Sequence, residues 1–108
     1  MEEKILKIIN HYGVLLQLKY FQSEVFELNQ AILDRENPNN IARPFLDFGA
    51  RLNNRKPSDI EHIAEEIADV MVMLEQFKLY YGITDEEVKN IMNQKIDRQI
   101  ERIENEKI

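Results

Sequence analysis

The chain has 108 residues, 44% of them apolar and 31% charged, with a formal net charge of −6 and no cysteine. That composition is too apolar for a disordered chain and allows one small domain with one core. It excludes a disulfide framework, a thiolate metal site and a thiol nucleophile. Its acidity argues against general nucleic-acid binding and suits a protein that recruits divalent cations.

Three glycines and three prolines punctuate the whole chain, so long uninterrupted helices are expected. The first is a short amphipathic helix over residues 2–12, with Ile5, Leu6, Ile8 and Ile9 apolar and a stop near Gly13. Its opening, "MEEKILKIINHYG", lacks the apolar core of a signal peptide. No stretch approaches the roughly 20 apolar residues of a membrane span. A cytoplasmic protein that does not enter a membrane is the expectation.

From Val14 the apolar pattern restarts as Val14, Leu18, Phe21, Val25, Leu28 and Ile32. Steps of four and three residues predict a second helix over about 14–34, with this line as its packing seam. Residues 35–57 then break the pattern with two Asn-Asn pairs, a glycine and all three prolines. A connection of that length in a small domain points to a functional loop or a partner-packing segment. Phe45, Phe48 and Leu52 are spaced for one short amphipathic turn inside it.

Ser58 and Glu61 match the capping box S-x-x-E directly after Pro57 and predict the start of a third helix. Its seam is Ile60, Ile63, Ile67, Val70, Leu74, Phe77 and Tyr81, and Gly82 ends it. Thr84 with Glu87 forms a second capping box, opening a fourth helix over about 85–105. The expected architecture is all-α and four-helix bundle-like, one domain over residues 1–108, with the second and third helices antiparallel.

The stretch "HIAEEIADVMVML" reads as a helix core that nevertheless carries Glu65, Glu66 and Asp69. Three-residue spacing brings Glu66 and Asp69 side by side, which costs a few tenths of a kcal/mol by repulsion. The second helix repeats the arrangement in "SEVFEL", with Glu24 and Glu27. Each acid immediately precedes a seam residue, so packing the two seams together brings four carboxylates to one place. Four anions so placed repel unless protons or cations stand between them. The donors are all carboxylate oxygens, which suit Mg²⁺, with Mn²⁺ as a substitute. A di-iron centre would use two Glu-x-x-His motifs; here His62 follows Asp59 at that spacing, and His11 lies in another segment.

"SEVFELNQAI" and "HIAEEIADVMVMLEQFKLYYGI", followed by a helix bearing lysine and arginine, resemble the MazG-like all-α nucleoside triphosphate pyrophosphatases. The family hallmark, E-x-x-E followed by E-x-x-D, is matched by Glu24, Glu27, Glu66 and Asp69. The similarity covers about residues 14–34 and 58–102, while 35–57 is long for a compact member. The resemblance implies Mg²⁺-dependent hydrolysis of a (deoxy)nucleoside triphosphate to monophosphate and pyrophosphate, as in nucleotide-pool sanitation. It also implies a homodimer or homotetramer, and basic residues of the fourth helix on the phosphates. Val88, Ile91, Lys95, Arg98 and Arg102 make a stripe that begins apolar and turns basic. Lys95 and Arg98 are the candidate phosphate ligands, expected to point toward the bundle, with Arg102, Arg55 and Lys56 in reserve. Tyr20, Phe45 and Phe48 are candidates for stacking on a base.

Two rival readings stand beside this one. A non-enzymatic helical scaffold would carry the same acids as solvated surface, but would have no reason to align two pairs beside facing seams. A relative acting on another phosphorylated metabolite, such as a histidine-pathway intermediate, would keep the metal scaffold and change only the substrate.

Overall fold

The computed structural model describes residues 1–36 and 58–106. Four α-helices account for nearly all of them: α1 (Glu2–Tyr12), α2 (Val14–Glu36), α3 (Ile60–Tyr80) and α4 (Asp85–Glu106). The protein is all-α, and among the described residues no helix is long and apolar enough to cross a membrane. The expected turn at Phe45, Phe48 and Leu52 lies outside the described residues, as do Arg55 and Lys56.

Gly13 sits between α1 and α2 at φ 88°, a conformation that side chains with a Cβ rarely adopt. Its N–H reaches back to the Ile9 carbonyl at 2.8 Å, so α1 ends there and folds against the elements that follow. Ile5 and Ile9 are buried as α1 packs on α3 and, less extensively, on α2.

The largest packing interface joins α2 and α3. They run antiparallel, as two cross-helix hydrogen bonds show. Gln17 Nε2 donates to Gln76 Oε1 at 2.8 Å near one end, and Arg35 Nη1 donates to the Ser58 carbonyl at 3.0 Å near the other. Between them the Phe21 and Phe77 rings meet edge to face, with centroids 5.6 Å apart. Such a pair contributes about 0.5–1.5 kcal/mol beyond the area it buries.

The helix starts show one correction. The α3 cap is Asp59, whose Oδ1 accepts the His62 N–H at 2.7 Å, not Ser58 as the S-x-x-E match suggests. Aspartate caps as well as serine, and the Ser58 carbonyl is engaged by Arg35. At α4 the expected cap holds: Thr84 Oγ1 accepts the Glu87 N–H at 3.1 Å.

The seams also differ from the expected ones. Of the α2 line, Phe21 and Leu28 are half-buried, but Leu18, Val25 and Ile32 are exposed. On α3, Ile63, Val70 and Phe77 turn inward, while Ile60, Ile67, Leu74 and Tyr81 are exposed. The inward line of α2 is instead Gln17, Phe21, Glu24, Leu28 and Ala31, and that of α3 is Ile63, Glu66, Val70, Met73 and Phe77, with Gln76 buried beside it. Each helix thus has two faces with helical apolar periodicity, and the one interrupted by polar residues is the one that packs. Periodicity alone does not rank two such faces.

Helix α3 ends in a Schellman turn. Gly82 adopts φ 68°, its N–H bonds the Leu79 carbonyl, and the Ile83 N–H bonds the Lys78 carbonyl. Across this turn Lys78 bridges Glu75 and Asp85, and the two hydrogen bonds raise its pKa, Asp85 contributing most. No residue of α4 is buried, and Ile91, Met92, Ile96, Ile100 and Ile103 are each about half exposed. Three helices therefore pack together, and α4 leaves them with an open apolar stripe.

Candidate metal centre

The inward turn of the polar-interrupted faces decides the site. Glu24 and Glu66 lie in the α2–α3 interface itself, half-buried, rather than on its flank. Asp69, one turn after Glu66, is exposed at the rim. One carboxylate oxygen from each of Glu24, Glu66 and Asp69 falls within 4.8 Å of the other two. Glu27 is exposed but close enough to act electrostatically on both interface glutamates. The four acids of the E-x-x-E and E-x-x-D pairs thus meet at one place, three of them in a tight group and Glu27 beside it.

The antiparallel register explains the meeting. From Gln17 to Arg35 is eighteen residues along α2, and from Gln76 back to Ser58 is eighteen along the facing chain. In that register Glu24 stands across from Asp69 and Glu27 across from Glu66.

The electrostatics are those of crowded, partly buried carboxylates. The Glu24 pKa is raised above its ordinary value of 4.5, first by burial, then by the charges of Glu27, Asp69 and Glu66. Glu66 is raised by burial, then by Glu27 and Asp69, with His62 acting in the opposite sense. His62 Nε2 lies 3.8 Å from Glu66 Oε1, one helical turn away. Among the described residues, Glu24 Oε2 and Glu66 Oε2 are both buried without a hydrogen-bond partner. A buried carboxylate oxygen without a donor or cation is costly, so these two oxygens are suited to a cation.

The donor set fits a hard divalent ion. Oxygens on opposite sides of one Mg²⁺ stand about 4.2 Å apart, twice the metal–oxygen distance. A group spanning no more than 4.8 Å needs only small side-chain rotations to close on it. Glu65, Glu61 and Glu75 are outside the group. Glu75 is engaged with Lys78 at 2.8 Å.

Lys95 and Arg98 are exposed on α4, and within one chain the fold does not bring them to the carboxylates or turn them into the packed helices. Tyr20 is exposed on α2, and Phe45 and Phe48 lie outside the described residues. Periodicity did not single out Gln17 and Gln76, which are 4% and 1% exposed. The available signal was spacing: each lies seven residues, two helical turns, from an acid of the group, Glu24 and Asp69 respectively. No family model matches the chain, and no curated protein or solved structure matches it significantly.

Proposed function

We propose that the protein is a Mg²⁺-dependent nucleoside triphosphate pyrophosphohydrolase that cleaves (deoxy)nucleoside triphosphates to monophosphate and pyrophosphate. One observation carries this reading: Glu24, Glu66 and Asp69 converge at a helix interface with two buried carboxylate oxygens lacking partners. The match of these acids to the hallmark of the MazG-like enzymes supplies the substrate class. Glu24, Glu27, Glu66 and Asp69 would hold Mg²⁺ (or Mn²⁺), which would supply charge neutralisation and a water of lowered pKa for hydrolysis at the α-phosphorus.

The chain's own residues divide the work by depth. Glu24 and Glu66, held in the interface, offer ligand oxygens whose rotation is restricted by α2–α3 packing. Asp69 and Glu27, at the exposed rim, face the side from which a triphosphate can enter. Without a cation, Glu24 and Glu66 hold protons more readily than ordinary carboxylates do, so cation binding releases protons and weakens on acidification.

Assembly belongs to the same proposal. The exposed stripe of α4 and the exposed Leu18, Val25 and Ile32 of α2 form more apolar surface than isolated side chains account for. We take the working form to be a homodimer or homotetramer, in which α4 of one copy packs on another. That packing would carry Lys95 and Arg98 toward a carboxylate group and its phosphates.

A panel of NTPs and dNTPs with Mg²⁺, scored for pyrophosphate against orthophosphate, tests the reading. Pyrophosphate release from at least one nucleotide supports it. No turnover on any nucleotide, with thermal stability indifferent to Mg²⁺ and Mn²⁺, favours the scaffold; metal-dependent stabilisation without nucleotide turnover favours another phosphorylated substrate.

A further inference from the structure

We infer that Gln17 and Gln76 are a positioning pair, fixing the axial register of α2 against α3 and thereby holding Glu24 across from Asp69 and Glu27 across from Glu66. In its functional part this rests on the metal-centre reading above; the register itself does not.

The apolar residues of the interface specify register weakly. The inward apolar residues Phe21, Leu28 and Ala31 of α2 and Ile63, Val70, Met73 and Phe77 of α3 recur every three or four positions, so a slip of one helical turn keeps apolar faces together. The carboxylates oppose the observed register, because it is the arrangement that brings four negative charges together. Something must discriminate in its favour before a cation arrives.

The two glutamines have the properties for it. Both are buried, and the hydrogen bond between them, 2.8 Å from Gln17 Nε2 to Gln76 Oε1, exists at one alignment. A slip of three residues sets Gln17 across from Met73 or Leu79, and Gln76 across from Val14 or Tyr20. Either alignment strands two amides among largely apolar neighbours, the penalty by which a buried polar residue selects one helix register. As stabilisers they are poor: among the described residues, Gln17 Oε1 is buried without a partner, and Gln76 Nε2 has the Met73 sulfur at 3.5 Å. A half-satisfied polar pair contributes less to stability than well-packed apolar residues of the same shape. It discriminates between alignments more than it strengthens either one.

Seven residues on from Gln17 is Glu24, and seven back from Gln76 is Asp69. The amide pair and this acid pair therefore stand two turns apart on the same line, close enough for the first to set the second. The Arg35 bond to Ser58 agrees with the same register, but it is exposed and can be replaced by water.

The absence of cysteine allows the register to be measured directly in the full chain. Spin labels on cysteines at exposed Lys19 and Glu61 are separated mainly along the helix axes. The cross-helix neighbour of Lys19 is Leu74, thirteen residues from Glu61, or about 20 Å. A slip of one turn moves the labels by about 5 Å, and dilution with unlabelled protein removes distances between copies.

The variant is Gln17→Met/Gln76→Met, which keeps side-chain length, with Gln17→Leu/Gln76→Leu as a second version. Expected is a folded protein of equal or higher melting temperature, whose label distances broaden or shift by about 5 Å, with Mn²⁺ affinity (measured with the metal alone) at least tenfold weaker. An unchanged, narrow distance distribution overturns the proposal, whatever the metal does. Failure of both double variants to fold overturns it too, since the pair would then supply stability rather than alignment. If the parent protein binds no Mn²⁺, the metal-centre reading fails while the distances still decide the register.

Discussion

Replacing Glu66 with glutamine keeps its shape and removes one charge from the interface. The side chain is 12% exposed, and its carboxylate group lies within 4.8 Å of those of Glu24 and Asp69. At that separation two unit charges repel by about 0.9 kcal/mol at the dielectric constant of water and by about 3.5 kcal/mol at an effective value of 20. Asp69 is exposed, which places its share near the lower figure, and the nearby His62 offsets part of the gain. Loss of the charge should therefore stabilise the metal-free protein by about 1–2 kcal/mol, raising its melting temperature by about 5–10 °C. The order should reverse with metal. Mn²⁺ at a hundredfold excess over its dissociation constant stabilises the parent by about 2.7 kcal/mol, and the variant, short of one ligand, gains little. Thermal unfolding followed by far-UV circular dichroism, in chelator and in Mn²⁺, measures both effects. A Glu66→Gln protein that melts below the parent in chelator, or responds equally to Mn²⁺, would show that Glu66 is an ordinary interface residue.

The remaining expectations concern the rest of the site. Glu24→Gln, Glu27→Gln and Asp69→Asn should each abolish or greatly reduce pyrophosphate release with helicity unchanged, whereas Glu65→Gln should be mild; equal losses at Glu65 and Glu66 in the same assay would place the centre on the wrong face of α3. Because Glu24 and Glu66 are raised above 4.5 in the folded state, the metal-free fold keeps protons that the unfolded chain has released. Its stability should fall as pH rises from about 4.5 through the raised values, and saturating Mn²⁺ should remove that fall; denaturant unfolding across this range checks the sign. Lys95→Ala and Arg98→Ala should raise KM, lower kcat or both without altering Mn²⁺ affinity, and Arg98→Lys should also weaken substrate binding; dNTP kinetics unchanged from the parent would return both residues to the surface. Light scattering at micromolar concentration should give a multiple of 12.9 kDa, and a monomer would remove the assembly proposal.

The helices were legible because their punctuation is local. Gly13 and Gly82 stand where the backbone needs a positive φ, and Thr84 supplies a side-chain oxygen where a helix N-terminus has free N–H groups. The acid group was legible for a related reason, since three-residue spacing on two helices needs no tertiary knowledge to suggest convergence. The face was not. Val25 and Ile67 look like core residues by periodicity, yet they are exposed, while Glu24 and Glu66 beside them turn inward. Hydrophobic pattern measures what a face would gain by burial against any partner, and within this chain it does not say which partner. The packed polar-interrupted faces also hold Gln17 and Gln76, which a sequence reader assigns to solvent until their hydrogen bond is seen. Lys95 and Arg98 are exposed on α4, and the stripe they continue does not by itself say what that helix faces.

The bond from Arg35 to the Ser58 carbonyl has a consequence for how the chain can be edited. It joins the two sides of the intervening segment, so the excursion begins and returns at neighbouring points while every carboxylate of the centre sits on helices outside it. Closing a loop of half the length changes the entropy by only about 0.6 kcal/mol. A change in the length of the connection between these two anchor points should therefore cost little in loop closure, with the carboxylate group left on α2 and α3. On the proposed metal-centre reading, a chimaera made this way should still bind Mn²⁺, because Glu24, Glu66 and Asp69 all lie on α2 and α3.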